Sequence, residues 1–341
     1  MGRSLSDLVI FILKRLLQLI PVLLGVIVLT FIVTHLRLTG LCNEWYPHAG
    51  GTTLANCNAK YGQPLTTQFV QYFVSLLQGN WGSDVYGVLV YPKIAADLPA
   101  TIELVLASLF LMIVVGIPLG VIAAQYTGRF GDHLVRIFYL SGWATPTYLG
   151  AVLAAVFVGP YLGLPTHGEY SSPTVPFPQY THMSVIDAMI AGNLPYTVDA
   201  ISHLILPAAV LAFINMGIAT RMTRASMLEV LPLDYVKSAR MKGLGEFWVL
   251  YKHALRNALI TTTTVLGITA GGLLAGTVVV EEVFDWPGIG QYAYDAIGGG
   301  SSTPNFDGAV AVVIIFAIGV VVANLIADIL YGLLDPRVDW R

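Results

Sequence analysis

The hydrophobic positions of this chain are grouped into long stretches that contain almost no Asp, Glu, Lys or Arg. A helix needs about 20 apolar residues to cross the hydrocarbon core of a bilayer. Five uncharged stretches, and a sixth interrupted only by Asn324 and Asp328, are candidates: 16–36, 104–125, 137–158, 200–220, 258–280 and 308–334. The pattern therefore predicts an all-α integral membrane protein with six transmembrane helices.

The first stretch has features of a secretory signal peptide, because Lys14 and Arg15 precede it. It is longer than the apolar region of a usual signal peptide, and no small-x-small cleavage site follows Thr34. We interpret it as an uncleaved transmembrane helix. Three predicted helices contain a proline, which membrane helices tolerate where neighbours satisfy the freed backbone groups: Pro118, Pro146 and Pro207.

The composition agrees with a membrane location. Charged residues make up 11% of the chain, against about 25% in an average soluble domain. That charge is too little to cover a soluble surface. It excludes a soluble enzyme, a disordered chain and a nucleic-acid-binding protein.

The basic residues are distributed unevenly between the two sides of the predicted membrane. Of the 17 Lys and Arg residues, only Arg37, Lys60 and Lys93 fall on one side. Basic residues concentrate on the cytoplasmic side, so we expect a multi-pass protein of the cytoplasmic membrane with both termini cytoplasmic. The outer segments are then 38–98, with a short helix around 65–78, 159–200 and 281–307.

The chain contains two cysteines, Cys42 and Cys57, both in the first outer segment. An oxidising exterior permits a disulfide between them, and closing a loop of about 15 residues would stabilise the fold by about 3 kcal/mol in the chain-entropy model. The alternative is two free thiols. Two thiols do not predict a metal site.

No recognised catalytic or nucleotide-binding motif occurs. The chain lacks a phosphate-binding loop, a zinc-binding histidine pair and a nucleophile elbow. We therefore expect no catalytic residues, no metal and no cofactor in this chain, and any energy for transport would come from another chain. Asp328 is either a paired structural carboxylate or part of a proton relay.

The longest cytoplasmic segment is 221–257. Asp234 is a candidate N-cap for a helix over 235–242, and Gly243 is a candidate left-handed stop. Tyr235, Ser238, Ala239 and Lys242 would share one face of this helix, which could receive a partner backbone because two of the four are small. An ordinary amphipathic connector is the alternative.

Several motifs resemble one family. Ala239-x3-Gly243 followed by 253–257 resembles the EAA loop of ATP-binding-cassette (ABC) importer permeases. The stretches 221–231, 280–290, 324–337 and 98–104, together with Gly116-Ile-Pro-Leu-Gly120, are similar to the dipeptide/oligopeptide/nickel family in its first-permease (DppB/OppB-like) branch. The resemblance extends over essentially the whole chain.

This resemblance implies the type I ABC importer permease architecture. Its partners would be a second homologous permease, two ATPases that carry ATP and Mg²⁺, an extracellular substrate-binding protein and membrane lipids, but no nucleic acid. The segment 234–244 would be the coupling helix driven by the ATPases. The implied coupling residues are Asp234, Tyr235, Lys237, Ser238, Ala239, Arg240, Lys242, Gly243, Leu244, His253 and Arg256.

The predicted organisation has three parts: residues 1–37 with the first span, 38–98 as an outer segment, and 99–341 as the permease core. Gly267-x3-Gly271 and Gly272-x3-Gly276 permit close helix approach. This helix would lie at the interface of the permease pair or line the translocation path; the alternative is packing within this chain. Asn324 and Asp328 are assigned to the same group of residues for helix packing or the path.

The substrate would be peptide-like or an oligosaccharide. A secondary transporter that works without ATPases is the alternative function, and a membrane enzyme is a third.

Overall fold

The computed structural model describes residues 5–35, 62–83, 88–171, 179–299 and 305–334, together with residues 55, 58 and 59. These ranges are mainly helical and contain no strand beyond one isolated bridge between Ser83 and Leu89. The helices are α1 (Leu5–His35), α2 (Leu65–Leu77), α3 (Val90–Gln125), α4 (Phe130–Ala144), α5 (Thr147–Leu162), α6 (Ser184–Ile190), α7 (Leu194–Val230), α8 (Asp234–Met241), α9 (Glu246–Phe284), α10 (Ile289–Ala296) and α11 (Phe306–Leu334).

Four of these helices are long and apolar enough to cross a membrane by length and composition: α3, α7, α9 and the part of α11 up to Ile329. The bent pair of α4 and α5 makes a fifth span if it counts as one, and α1 contains the apolar stretch Ile20–Val33. A helical protein with several spans is thus confirmed. The exact number of six stays a prediction. The predicted short outer helix is present as α2.

Prolines act differently at different positions. Pro118 and Pro207 lie inside continuous helices, as predicted. At Pro146, by contrast, α4 and α5 meet at 105°, so the prediction of one helix through this residue was wrong. Proline lacks an N–H and its ring crowds the preceding turn, and Thr145 accordingly adopts an extended conformation.

Helices α3 and α7 form a close central pair. The carbonyl of Gly116 accepts a hydrogen bond of 3.0 Å from the Thr220 hydroxyl. A Cβ on Gly120 would lie 2.6 Å from the Cβ of Thr223. Since even one extra carbon at this position would overlap the neighbouring helix, glycine at position 120 is required for the contact.

The ends of four helices meet in one buried cluster. It joins Val121 of α3, Met227 of α7, Val236 of α8 and Val249 of α9. Through this cluster α8, which is only eight residues long, is anchored to the longer helices, and its main direct contact is with the start of α9. A helix this short gains its stability from such tertiary contacts.

Candidate functional site

Helix α8 lies in the segment that connects the long helices α7 and α9. It starts at Asp234, and its N-cap position is Leu233 without a side-chain cap. The prediction that Asp234 caps the helix was therefore wrong; its exposed carboxylate accepts instead from Lys237 Nζ at 3.1 Å. The predicted left-handed stop is confirmed, because Gly243 has φ +77° and follows the last turn directly.

The two faces of α8 have different roles from those predicted. Val236 and Ala239 are buried in the cluster beneath the helix. Ala239 therefore cannot receive a partner backbone, since its small side chain packs inside this chain. Tyr235 and Lys242 are exposed, so the four residues predicted to share a face do not form one open surface.

Polar contacts tie α8 to the start of α9. Arg240 binds Glu246 through two hydrogen bonds, of 2.8 Å from Nη2 and 3.3 Å from Nε. Asn257 Nδ2 donates to the Tyr235 hydroxyl at 2.7 Å. Two-point contacts of this type limit rotation as well as separation, so α8 and the start of α9 are held in one orientation.

The remaining predicted coupling residues lie on α8, the following turn and α9. Ser238 is half-buried, and Lys237 and Leu244 are exposed. His253 is half-buried in a π-helical turn over Val249–Ala254, and Arg256 is exposed just beyond it.

An apolar surface that the sequence analysis did not identify lies beside α8. We call Met241, Leu244, Phe247 and Trp248 the apolar surface beside α8; Met241 is 81% exposed and Phe247 63%. The ring of Phe247 stacks on Tyr251 with centroids 4.7 Å apart. Several large exposed apolar side chains within eight residues make this segment a candidate interaction site. The sequence feature that could have indicated this surface is the run Glu246-Phe-Trp-Val-Leu-Tyr, which places apolar residues on two faces at the start of α9.

The four glycines of α9 face in different directions. A Cβ on Gly267 would overlap that of Ala327, and one on Gly271 would lie 3.1 Å from Val320 Cα, so both positions pack against α11. Gly276 faces α7, at 3.4 Å from a methyl group of Leu211. Gly272 is exposed, with nothing within 4 Å of an added Cβ. Gly267 and Gly271 therefore take part in packing within the chain, whereas Gly272 lies on an open face of α9.

A large apolar groove lies between α3, α9 and α11, with a volume of about 700 Å³. Its walls include Leu106, Ile117, Leu266 and Phe316. On α11, half-buried Asn324 has an Oδ1 atom that is buried and has no hydrogen-bond partner among the described residues. Asp328, also half-buried, follows one turn later.

Where α9 ends, Glu281 links α3, α9 and α10. Its carboxyl group accepts from the Thr101 hydroxyl at 2.8 Å, from Gly290 N at 2.7 Å and from Gln291 N at 3.0 Å. A Cβ on Gly288 or Gly290 would collide with this carboxyl group. It thereby caps the N-terminus of α10, whose first N–H groups have no partner within the helix.

Trp286 and Glu103 make further contacts in this region. The fully buried Trp286 donates from Nε1 to the Ala100 carbonyl at 3.0 Å. Glu103 of α3 caps α6, accepting from Ser184 N at 2.9 Å and Val185 N at 3.0 Å. Neither Glu103 nor Glu281 was predicted to have a role. The available signal was their position, because Glu103 directly precedes the uncharged stretch 104–125 and Glu281 directly follows the stretch 258–280.

A small cavity of about 160 Å³ opens beside Glu103 and is lined by Asp97, Glu169, His182 and Asp187. Burial, together with the charges of Glu103, Asp187 and Asp97, raises the pKa of Glu169 to about 7. Lys93 pairs with Asp97 at 2.9 Å.

Near the start of α4, Asp132 links this helix to α7. Its buried carboxylate accepts two hydrogen bonds of 2.9 Å from the Arg224 guanidinium. It also accepts from Gly128 N at 3.1 Å. Cys42 and Cys57 lie outside the described residues, so their disulfide stays a prediction.

Comparisons with known proteins agree on one family. A family model described as "Binding-protein-dependent transport system inner membrane component" matches residues 116–340. The chain is 36% identical over 335 residues to a probable D,D-dipeptide transport system permease protein, DdpB, of Escherichia coli K12, covering 95% of this chain and 96% of that one. It is 36% identical to the dipeptide transport system permease protein DppB of Alkalihalophilus pseudofirmus, covering 96% and 98%. It is 33% identical to the oligopeptide permease protein AppB of Bacillus subtilis, covering 97% and 99%. Among solved structures, the MetNI methionine ABC transporter in inward-facing conformations has a similar fold, with a TM-score of 0.52 and 17% identity over 69% of this chain and 93% of that one.

Proposed function

The chain belongs to the family of binding-protein-dependent transport system inner membrane components, and we propose that residues 234–244 form the helix through which cytoplasmic ATPases drive it. Members of this family are permease subunits of ABC importers, so the chain is a transport subunit and not an enzyme. The proposal concerns which surface of this subunit the ATPases contact.

The observation that carries the proposal is the two-sided environment of α8. On one side, Val236 and Ala239 are buried in a cluster to which α3, α7 and α9 also contribute, and α8 directly contacts the start of α9. The other side continues into the exposed apolar surface beside α8. A partner that binds Met241 and Leu244 would therefore displace the start of α9 and, through the shared cluster, the ends of α3 and α7, because closely packed interiors transmit displacement with little compression.

The topology we propose has six transmembrane helices and both termini in the cytoplasm. The asymmetric distribution of Lys and Arg supports this orientation. Helix α1 would be a further span, in addition to the helices that are identified by their length and apolarity. The two ends of the molecule would then have separate roles. The glutamate-capped helices α6 and α10 face outward, and α8 faces the cytoplasm.

The partners we propose are a second homologous permease, two ATPases and an extracellular binding protein. ATP and Mg²⁺ would be bound by the ATPases, so this chain needs no cofactor of its own. The substrate we propose is a short peptide, because the curated relatives named above are described as dipeptide or oligopeptide permeases and are similar over almost their full length.

Met241→Asp tests the coupling proposal in the assembled transporter. Met241 is 81% exposed, so a charge there leaves the fold intact but disrupts an apolar contact. We expect ATPase subunits to co-purify less, and peptide uptake per ATP hydrolysed to fall at least tenfold. Met241→Leu is the matched control and should retain both.

Two results would contradict the proposal. One is normal ATPase binding and normal uptake in the Met241→Asp transporter, which would place the driving contact elsewhere. The other is uptake by the purified chain alone, without ATP, which would favour a secondary transporter. A labelled dipeptide library presented with the cognate binding protein serves as the substrate in both measurements.

A further inference from the structure

Helix α2 is an uncharged helix outside the set of long spans. The segment 61–83 around it contains no Asp, Glu, Lys or Arg. At 13 residues, α2 is about 20 Å long at 1.5 Å per residue, too short to cross a bilayer core of about 30 Å. Helical segments of this length and apolarity are typical of buried core, re-entrant or interfacial positions.

The buried face of α2 shows its depth relative to the membrane. Tyr72 belongs to a buried cluster with Ile27 and Phe31 of α1 and Ile314 of α11. The Phe31 ring lies 5.3 Å from that of Phe69 and 5.8 Å from that of Tyr72. Ile27 and Phe31 are inside the apolar stretch of α1, and Ile314 is eight residues inside α11. Helix α2 therefore lies alongside the apolar parts of α1 and α11, and not beyond their ends.

The opposite face of α2 is also apolar. Val70, Val74 and Leu77 are 58%, 46% and 73% exposed, and their spacing of four and three residues places them on one stripe. Within the described part of the chain, nothing covers this stripe. The exposed polar residues beside it, Thr67 and Gln71, are uncharged.

We propose that this stripe is a lipid-contact surface and that α2 lies in the outer leaflet of the membrane, at the boundary of acyl chains and headgroups. This position removes Val70, Val74 and Leu77 from water without requiring a protein partner. A protein partner is less consistent with the composition, because interface hot spots are enriched in Trp, Tyr and Arg and depleted in Leu and Val. The inference uses the proposed topology only for the choice of leaflet.

Site-specific photocrosslinking tests this surface in the assembled transporter. Benzoylphenylalanine is placed at Val74, and in a second variant at Leu77, in proteoliposomes of phosphatidylethanolamine and phosphatidylglycerol. The protein is irradiated and analysed by mass spectrometry. We expect a phospholipid adduct at both positions, lost when the transporter is irradiated in lipid-free detergent. The matched control is benzoylphenylalanine at Tyr72, which faces α1 and α11, and should give crosslinks within the chain with at least fivefold less lipid adduct.

Three outcomes would overturn the inference. Capture of the second permease or of the binding protein at both Val74 and Leu77 would identify a protein interface. The absence of lipid adducts at both positions would place the stripe in water. Equal lipid labelling at Tyr72 and Val74 would show that α2 does not have a distinct lipid-facing side. None of these outcomes depends on α8, so the inference and the coupling proposal can fail independently.

Discussion

Replacing Glu281 by Ala should destabilise the end of the helical bundle beside α10 far more than replacing its neighbour Glu282. The Glu281 side chain is fully buried, and its carboxylate accepts hydrogen bonds from the Thr101 hydroxyl and from the N–H groups of Gly290 and Gln291. Glu282 is exposed and makes none of these contacts. The two adjacent positions therefore form a matched pair of perturbations.

The magnitude follows from the groups left without a partner. Each buried donor that loses its acceptor costs about 1–3 kcal/mol. Removing a buried carboxylate also removes its desolvation cost, and water can enter the space, so the net loss should be about 2–4 kcal/mol. Glu281→Gln keeps one acceptor oxygen and should have an intermediate effect.

Thermal unfolding of the detergent-solubilised protein, followed by tryptophan fluorescence, measures the difference. With an unfolding entropy of about 2.1 cal/mol/K per residue, the midpoint of this 341-residue chain moves by roughly 1.4 °C per kcal/mol. We therefore expect Glu281→Ala to lower the midpoint by about 3–6 °C. Glu282→Ala should change it by less than about 2 °C, since exposed substitutions are near neutral. If the two alanine variants unfolded at the same temperature, the link from α3 to α10 through Glu281 would not contribute as we reason.

Three further predictions use other contacts. Gly120→Leu should disrupt the pairing of α3 with α7, because a side chain there overlaps Thr223; we expect loss of folded protein by size-exclusion chromatography, whereas correctly folded protein at normal yield would contradict the close approach. Asp132→Asn should destabilise by about 1–3 kcal/mol, since it removes the charge that the half-buried Arg224 guanidinium contacts; chemical unfolding measures this, and an unchanged midpoint would refute it. For Glu169, the raised pKa means that the folded state retains a proton that the unfolded chain loses between about pH 4.5 and 7. Stability should therefore fall as the pH rises through that window and level off above it. Glu169→Gln should remove this dependence, and the same slope in that variant would assign it to other groups.

The spans could be predicted because their signal is local. Uncharged length alone identifies α3, α7, α9 and α11, since a bilayer excludes charge from any segment that crosses it. Gly243 was equally predictable, because a left-handed residue after a helix favours glycine for steric reasons within the backbone itself. The resemblance of the motifs to ABC importer permeases is confirmed by the family match.

The bend at Pro146 shows where local reasoning was insufficient. Pro118 and Pro207 have the same chemistry as Pro146, yet they lie inside continuous helices. Whether a proline kinks a helix or ends it depends on which neighbouring groups can satisfy the freed carbonyl, and those neighbours come from other parts of the chain.

Ala239 and Glu281 illustrate the division between sequence and tertiary structure. The sequence by itself determined that the chain is helical, membrane-embedded and capped by glycine after α8, because these properties depend on composition and on backbone sterics within a few residues. Only the tertiary structure decided that Ala239 is buried within its own chain, that Met241 and Phe247 are exposed, and that Glu281 binds donors nine, ten and 180 residues away. These outcomes depend on which faces of distant helices meet, and the spacing of residues within one helix does not specify that.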